Sequence, residues 1–282
     1  MARGMDSDGS GGAKVILSDG NWIASRATGS HTGGGIQLIP GLGGVGSFWN
    51  GVMAGLDEGL HVVTHDHRGT GASSRPSGPY SIWQMVEDLR AVMDHHDMER
   101  AVLIGHSTGG AVAQTFALTW PERVSGLVLS ASWAAPDPAF RAMFTLRRRV
   151  LLEMGADAYG ILGQLMLRTP EQLNTRPESL AFESATAAAA LGDPEIVAAR
   201  IEALLSHDTG ARLPNLTVPT LVVCAADDRV APSHMSRALA ALIPGAELTI
   251  LPDGGHFLPK ERPEAFLSAI APFLMRITDL ST

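Results

Sequence analysis

Short apolar runs alternate with amphipathic stretches along most of the chain. The runs at 35–39, 61–64, 101–104, 125–129, 220–224 and 247–251 are brief, rich in Val, Ile and Leu, and set off by Gly, Pro or Asp. Runs with apolar residues on both faces suit strands covered by helices on each side. Between them the apolar spacing predicts helices over 47–59, 81–96, 109–119, 232–242 and 263–276. Within 81–96 the apolar residues fall at 82, 85, 86, 89, 92 and 93, one face of a helix, with Ser81 placed to cap it. Repeated strand–helix units predict an α/β fold: a mostly parallel central sheet with right-handed crossovers and helices on both faces. Residues 13–17 and 21–25, joined through Asp19-Gly20, predict an antiparallel hairpin at the start of the sheet.

The alternation breaks between about Trp133 and Ala211. Segments 139–155, 157–167, 177–190 and 194–205 all read as helix, interrupted by Gly, Pro or Asp, with no strand among them. Four helices inside an alternating chain predict an inserted helical lid over the carboxyl ends of the strands. The expected organisation is a flexible tail at 1–12, a core formed by 13–132 and 212–282, and a cap at 133–211.

Charge narrows the partners. The 282 residues include 29 Asp and Glu against 21 Lys and Arg, a net charge of −8, with no basic tract. Nucleic acid and anionic membrane both need clustered Lys and Arg to displace counterions, so a small-molecule substrate is expected instead. The single cysteine, Cys224, has no partner for a disulfide or a Cys-based metal motif and reads as a buried thiol. No run approaches the ~20 apolar residues that span a bilayer, and the amino terminus lacks the apolar core of a secretory signal. The expected location is the cytoplasm, and nothing in the sequence specifies an oligomeric state.

The richest chemistry lies in Gly105-His106-Ser107-Thr108-Gly109-Gly110, between an expected strand and an expected helix. A turn this abrupt holds a serine in a strained conformation, and small residues at 105 and 109 let it close. Ser107 then projects at the sheet edge, with the Thr108 amide at the helix start facing any negative charge that forms there. A serine hydroxyl needs a base, and the base an orienting acid. Both follow in chain order. Asp227-Asp228 comes after the run at 220–224, and His256 closes the Gly-rich loop after 247–251. Asp228 is the expected acid because the Val-Ala-Pro that follows sets it at a turn; Asp227 is the alternative. Glycines in Pro40-Gly41-Leu42-Gly43-Gly44-Val45-Gly46 allow the Leu42 amide to serve as a second oxyanion donor. No Gly-Lys-Ser/Thr follows, which removes a phosphate loop from consideration.

With these residues the chain resembles the α/β-hydrolase superfamily over roughly 13–276. Asp66-His67-Arg68-Gly69-Thr70-Gly71-Ala72-Ser73 is similar to the family's Asp-x-Arg-Gly-x-Gly-x-Ser loop, and in the earlier glycine loop Pro40 departs from the family, many of whose members have His before the Gly. Pro-Gly-Leu-Gly-Gly-x-Gly-Ser-Phe-Trp, Arg-Gly-Thr-Gly and the arginine-bearing segment 144–152 most resemble the aminoacrylate hydrolases of pyrimidine breakdown and the 3-oxoadipate enol-lactonases. The resemblance implies a hydrolase of small esters, lactones or amide-like compounds that needs no metal or organic cofactor. The rival readings are an aminoacrylate-type reaction through activated water, a cofactor-free perhydrolase, and a small-molecule receptor.

Other polar clusters have structural readings. His65 and His67 lack further ligands at metal spacing, His95-His96 ends a helix, and His106 is expected to point away from Ser107. Arg147-Arg148-Arg149 spreads around a helix axis, so at most one or two can face a pocket. Arg147 and Arg148 are the candidates for binding a substrate carboxylate.

Overall fold

A computed structural model describes residues 12–29, 35–56, 59–175 and 177–279; of the expected tail, residues 1–11 lie outside these. Its sheet has eight strands: β1 (Gly12–Ile16), β2 (Trp22–Thr28), β3 (Gly35–Ile39), β4 (His61–His65), β5 (Ala101–His106), β6 (Val124–Ser130), β7 (Thr220–Ala225) and β8 (Glu247–Leu251). They run in the order β1-β2-β4-β3-β5-β6-β7-β8. The expected hairpin is present, with Ile16 opposite Trp22, and β2 continues antiparallel onto β4. The remaining pairs are parallel.

Alternate residues of each central strand feed two cores, which is why those runs are apolar throughout. Leu103, Leu127 and Val222 pack with Leu89, Phe116 and Leu239 from helices α2 (Ile82–His95), α3 (Thr108–Thr119) and α8 (Ser233–Leu242). Val102, Ile104 and Val223 face Trp49, Phe266 and Phe273 on the other side. Ser81 caps α2 as expected, its Oγ accepting from the Gln84 amide at 3.0 Å. Between β6 and β7 come four helices, α4 (Pro138–Leu167), α5 (Pro170–Thr175), α6 (Pro177–Ala190) and α7 (Pro194–Leu205); α1 (Asn50–Ala54), α9 (Leu258–Glu261) and α10 (Pro263–Asp279) complete the set among the described residues.

Three expectations change. The helix expected over 47–59 is a 3₁₀ turn at Gly46–Trp49 followed by the five-residue α1. Gly51 and Gly55 let this segment press onto α10: a Cβ at Gly55 would lie 2.4 Å from Leu267 Cδ1. The helices expected at 139–155 and 157–167 form one element, broken where Gly155 adopts φ 87° and ψ −179°. The short α5 and α9, each with proline in its first turn, carry too little periodicity to be anticipated. The α4 element is also long enough, with a stretch of mean hydropathy 1.2, to meet the length and composition of a membrane span. A count of consecutive apolar residues passes over it, because Arg, Glu and Asp punctuate the segment. The break at Gly155 divides it, and Phe144, Tyr159 and Gly163 turn toward a cavity.

Four buried imidazoles make the fold acid-sensitive. Burial lowers His65 to about 3 and His207 to about 4, and it holds His67 and His106 well below 6.5. Their folded pKa values are depressed, so below the unfolded value of about 6.5 the unfolded chain binds more protons. Their contribution is complete above about pH 6.5 and is lost as pH falls toward the folded values, at up to about 1.4 kcal/mol per pH unit for each group. Urea midpoints are expected to fall steadily from about pH 6.5 to about pH 4.5. A flat profile would show that these rings take up protons without unfolding.

Candidate active site

The backbone at the end of β5 turns directly into α3, and Ser107 occupies the corner at φ 55° and ψ −119°. A left-handed serine is strained, so its surroundings must hold it there. The Ser107 amide donates to Ser130 O at 2.8 Å, and Ser132 Oγ donates to Ser107 O at 3.0 Å. The corner needs glycine on both sides. A Cβ at Gly105 would lie 2.4 Å from Gly109 O, and one at Gly109 would lie 2.2 Å from Ile39 O.

The turns after β7 and β8 bring two more side chains to this corner. His256 Nε2 lies 3.1 Å from Ser107 Oγ, and its Nδ1 lies 2.8 Å from Asp228 Oδ2. Asp228 Oδ1 accepts from the Val230 and Ala231 amides at 2.8 and 3.0 Å, so one oxygen anchors the carboxylate while the other meets the imidazole. Asp227 turns elsewhere. It accepts from the Gly255 amide at 2.9 Å and thereby ties down the loop that presents His256. This connectivity suits an imidazole that draws a proton from the hydroxyl, with a carboxylate fixing its tautomer.

The Pro40–Gly46 loop covers the other side of Ser107. A Cβ at Gly41 would sit 3.2 Å from Ser107 Cβ, and Leu42 lines the cavity beside it. Thr108 is the first residue of α3, so its amide has no acceptor one turn back. The Asp66–Ser73 segment braces this loop. Asp66 Oδ1 accepts from the Gly46 amide at 2.7 Å, the His67 ring donates to Pro40 O at 2.8 Å, and Thr70 Oγ1 donates to Gly44 O at 2.9 Å. The sequence marks this motif clearly, whereas its role as a brace emerges only from the contacts. His65 and His67 meet edge to face, with ring centroids 5.0 Å apart. Among the described residues no three His, Cys, Asp or Glu side chains converge to hold a metal ion.

His106 bonds to Ser130 and not to the Ser107 hydroxyl, yet it is not remote from the site. Its ring lies 4.9 Å from that of His256 and stacks on Phe48 at 4.8 Å, while Nδ1 meets Ser130 Oγ at 3.1 Å. It backs the imidazole at 256.

Above Ser107 lies a cavity of about 640 Å³, walled by the Pro40–Ser47 loop and by α4, α6 and α7 of the insertion. Arg147 is buried in its wall and donates from Nη2 to Tyr159 Oη at 3.0 Å. Its guanidinium also lies over the rings of Phe144 and Tyr159, at 5.1 and 5.0 Å. No carboxylate among the described residues pairs with it. Arg148 is a correction: it is absent from the cavity wall and pairs with Glu202 at 2.9 Å on the half-exposed side of α4. Arg149 likewise pairs outside, with Glu153. Arg168 and Lys260, which the sequence does not single out, reach the wall from the end of α4 and from α9; Arg168 is shared between Glu183 and Glu261. Glu183 shares the wall with these cations.

Comparison with known proteins agrees with this architecture. A family model described as the alpha/beta hydrolase fold matches residues 36–263. The provisionally named carbamate hydrolase RutD of Caulobacter vibrioides is 36% identical over 240 residues, covering 85% of this chain and 89% of that protein. The enol-lactonase of Burkholderia xenovorans superposes with a TM-score of 0.84 at 27% identity, covering 93% of this chain and all of that one. A malate-bound thermophilic esterase of Thermogutta terrifontis gives 0.82 at 28% identity, covering 95% and 99%.

Proposed function

The chain belongs to the alpha/beta hydrolase fold family, and from that premise we propose that it is a serine hydrolase of small, carboxylate-bearing esters, lactones or related acyl compounds. The observation that carries this reading is the unbroken contact chain Ser107 Oγ to His256 to Asp228.

In this mechanism His256 Nε2 takes the Ser107 proton as Oγ attacks the acyl carbon. The imidazolium is stabilised by Asp228 and returns the proton to the leaving group. The amides of Leu42 and Thr108 donate to the tetrahedral oxyanion, each such donor being worth about 10²–10³ in turnover. Water activated by His256 then releases the acyl group from Ser107. The inserted helices act as the lid that shapes the acyl chamber, and Arg147 forms a charge-assisted contact with the substrate carboxylate. The likeness to a malate-bound esterase supports a carboxylate in the chamber, and the likeness to an enol-lactonase supports attack at an acyl carbon. The likeness to a carbamate hydrolase favours one second reading, cleavage of a C–N bond by the same residues.

An ester pair tests the reading. p-Nitrophenyl hemisuccinate is expected to react with higher kcat/KM than p-nitrophenyl acetate, after a burst of one nitrophenol per enzyme. In the Arg147→Met protein the ratio of the two kcat/KM values should fall by about 10–100-fold, the range of a hydrogen bond to a charged group. An unchanged ratio would remove Arg147 from substrate recognition, and failure to hydrolyse either ester would remove the esterase reading.

A further inference from the structure

Behind the Gly44 segment a second guanidinium is buried without a counter-charge. Arg200 projects from α7 and is 1% exposed, and its Nε, Nη1 and Nη2 have no acceptor among the described residues. A Cβ on Gly44 would lie 2.6 Å from both Nη1 and Nη2 and 2.6 Å from Thr70 Oγ1. The guanidinium therefore packs against the bare backbone of Gly44 and takes the place a side chain there would need. Gly44 also has φ +75°, which favours glycine independently. Gly44, Thr70 and Tyr159 are cavity wall and Arg200 is not, so this charge lies behind the wall at Gly44.

No carboxylate among the described residues pairs with it. The ionisable groups whose charge favours its protonation are the phenols Tyr80 and Tyr159, and it works against protonation of His67. Burial lowers its pKa to about 10, which leaves it charged at neutral pH. A buried cation with three unused donors is heavily unfavourable unless something supplies acceptors.

We propose that Arg200 is the anion-binding group of an inner subsite beneath Gly44, Thr70 and Tyr159, and that it takes a small monoanion of carboxylate size. That anion is either a carboxylate of the substrate or a free ion from solution. Only the substrate arm rests on the proposed hydrolase function; anion binding does not.

Thermal unfolding of the Arg147→Met protein, titrated with sodium formate against sodium HEPES at equal ionic strength, tests this with the outer arginine removed. Formate is expected to raise Tm saturably, by about 5 °C at a hundredfold excess over Kd. The rise should vanish in Arg147→Met/Arg200→Met, whose Tm in HEPES should equal or exceed that of the single variant, because the lone charge is gone. Arg147→Met/Arg200→Lys, which keeps the inner charge and loses the fork, should weaken formate binding at least tenfold and serves if the double methionine variant does not fold. Absence of a saturable rise in Arg147→Met, its persistence in Arg147→Met/Arg200→Met, or unchanged affinity in Arg147→Met/Arg200→Lys would overturn the proposal. Kinetics of the Arg147→Met protein, in which the outer arginine no longer competes for formate, separate the two sources. Formate that raises KM for the hemisuccinate ester and not for the acetate assigns the subsite to the substrate carboxylate, whereas saturation with both KM values unchanged assigns it to a free anion.

Discussion

Replacing Ser107 with alanine is expected to lower kcat by about 10⁵–10⁶-fold, the loss seen when a hydrolase nucleophile that works as a unit with its base is removed. The reason is geometric. Oγ at 3.1 Å from His256 Nε2 is the atom that the imidazole can activate, and no other hydroxyl is bonded to that nitrogen among the described residues. The variant should keep its fold, because the corner is held by the Ser107 amide bond to Ser130 O, by Ser132 Oγ on the Ser107 carbonyl, and by the glycines at 105 and 109. Alanine removes only the hydroxyl from that frame. Residual turnover of about 10³–10⁴ over water would come from the oxyanion amides and from binding. The check combines ester turnover, circular dichroism and the mass of the protein after a fluorophosphonate. Wild type should gain one adduct and the variant none. Turnover within about tenfold of wild type in a folded variant would replace acyl transfer with attack by His256-activated water.

The legible parts of this fold are those where one physical rule acts alone. Runs such as Val102 to Ile104 announce a doubly covered strand because both faces meet core, and the periodicity of 82–93 announces α2 because one face does. Where rules compete, the reading fails. Residues 47–59 have helical spacing, yet two glycines let the chain close onto α10 and only five residues finish as α-helix. That Ser107, Asp228 and His256 would meet at one corner was readable because each follows a strand of the same sheet. Which of three adjacent arginines turns inward was not readable. That depends on how α4 rotates against α6 and α7, and the rotation leaves Arg147 on the cavity wall and Arg148 against Glu202. What the sequence did not convey about His106 is its neighbour: strand alternation turns it away from the hydroxyl, and the loop carrying His256 then folds back onto it.

The neighbouring acids Asp227 and Asp228 should separate sharply on substitution. Asp228→Asn is expected to cost about 10⁴ in kcat, and Asp227→Asn about tenfold or less. Asparagine at 228 can still accept from the Val230 and Ala231 amides through its carbonyl oxygen, so the side chain stays in place. Its NH₂ then faces His256 Nδ1, where Asp228 Oδ2 accepts at 2.8 Å. A donor there favours the tautomer with the proton on Nε2, which cannot take one from Ser107, and no carboxylate remains to stabilise the imidazolium. Asparagine at 227, by contrast, keeps an acceptor for the Gly255 amide, so the loop that presents His256 is retained. Ester kinetics on both variants, with thermal unfolding to separate loop stability from chemistry, decide the matter. Equal losses in the two folded proteins, or a larger loss at 227, would mean that the acid assisting His256 is held by the loop contact and not by the 2.8 Å bond to Asp228.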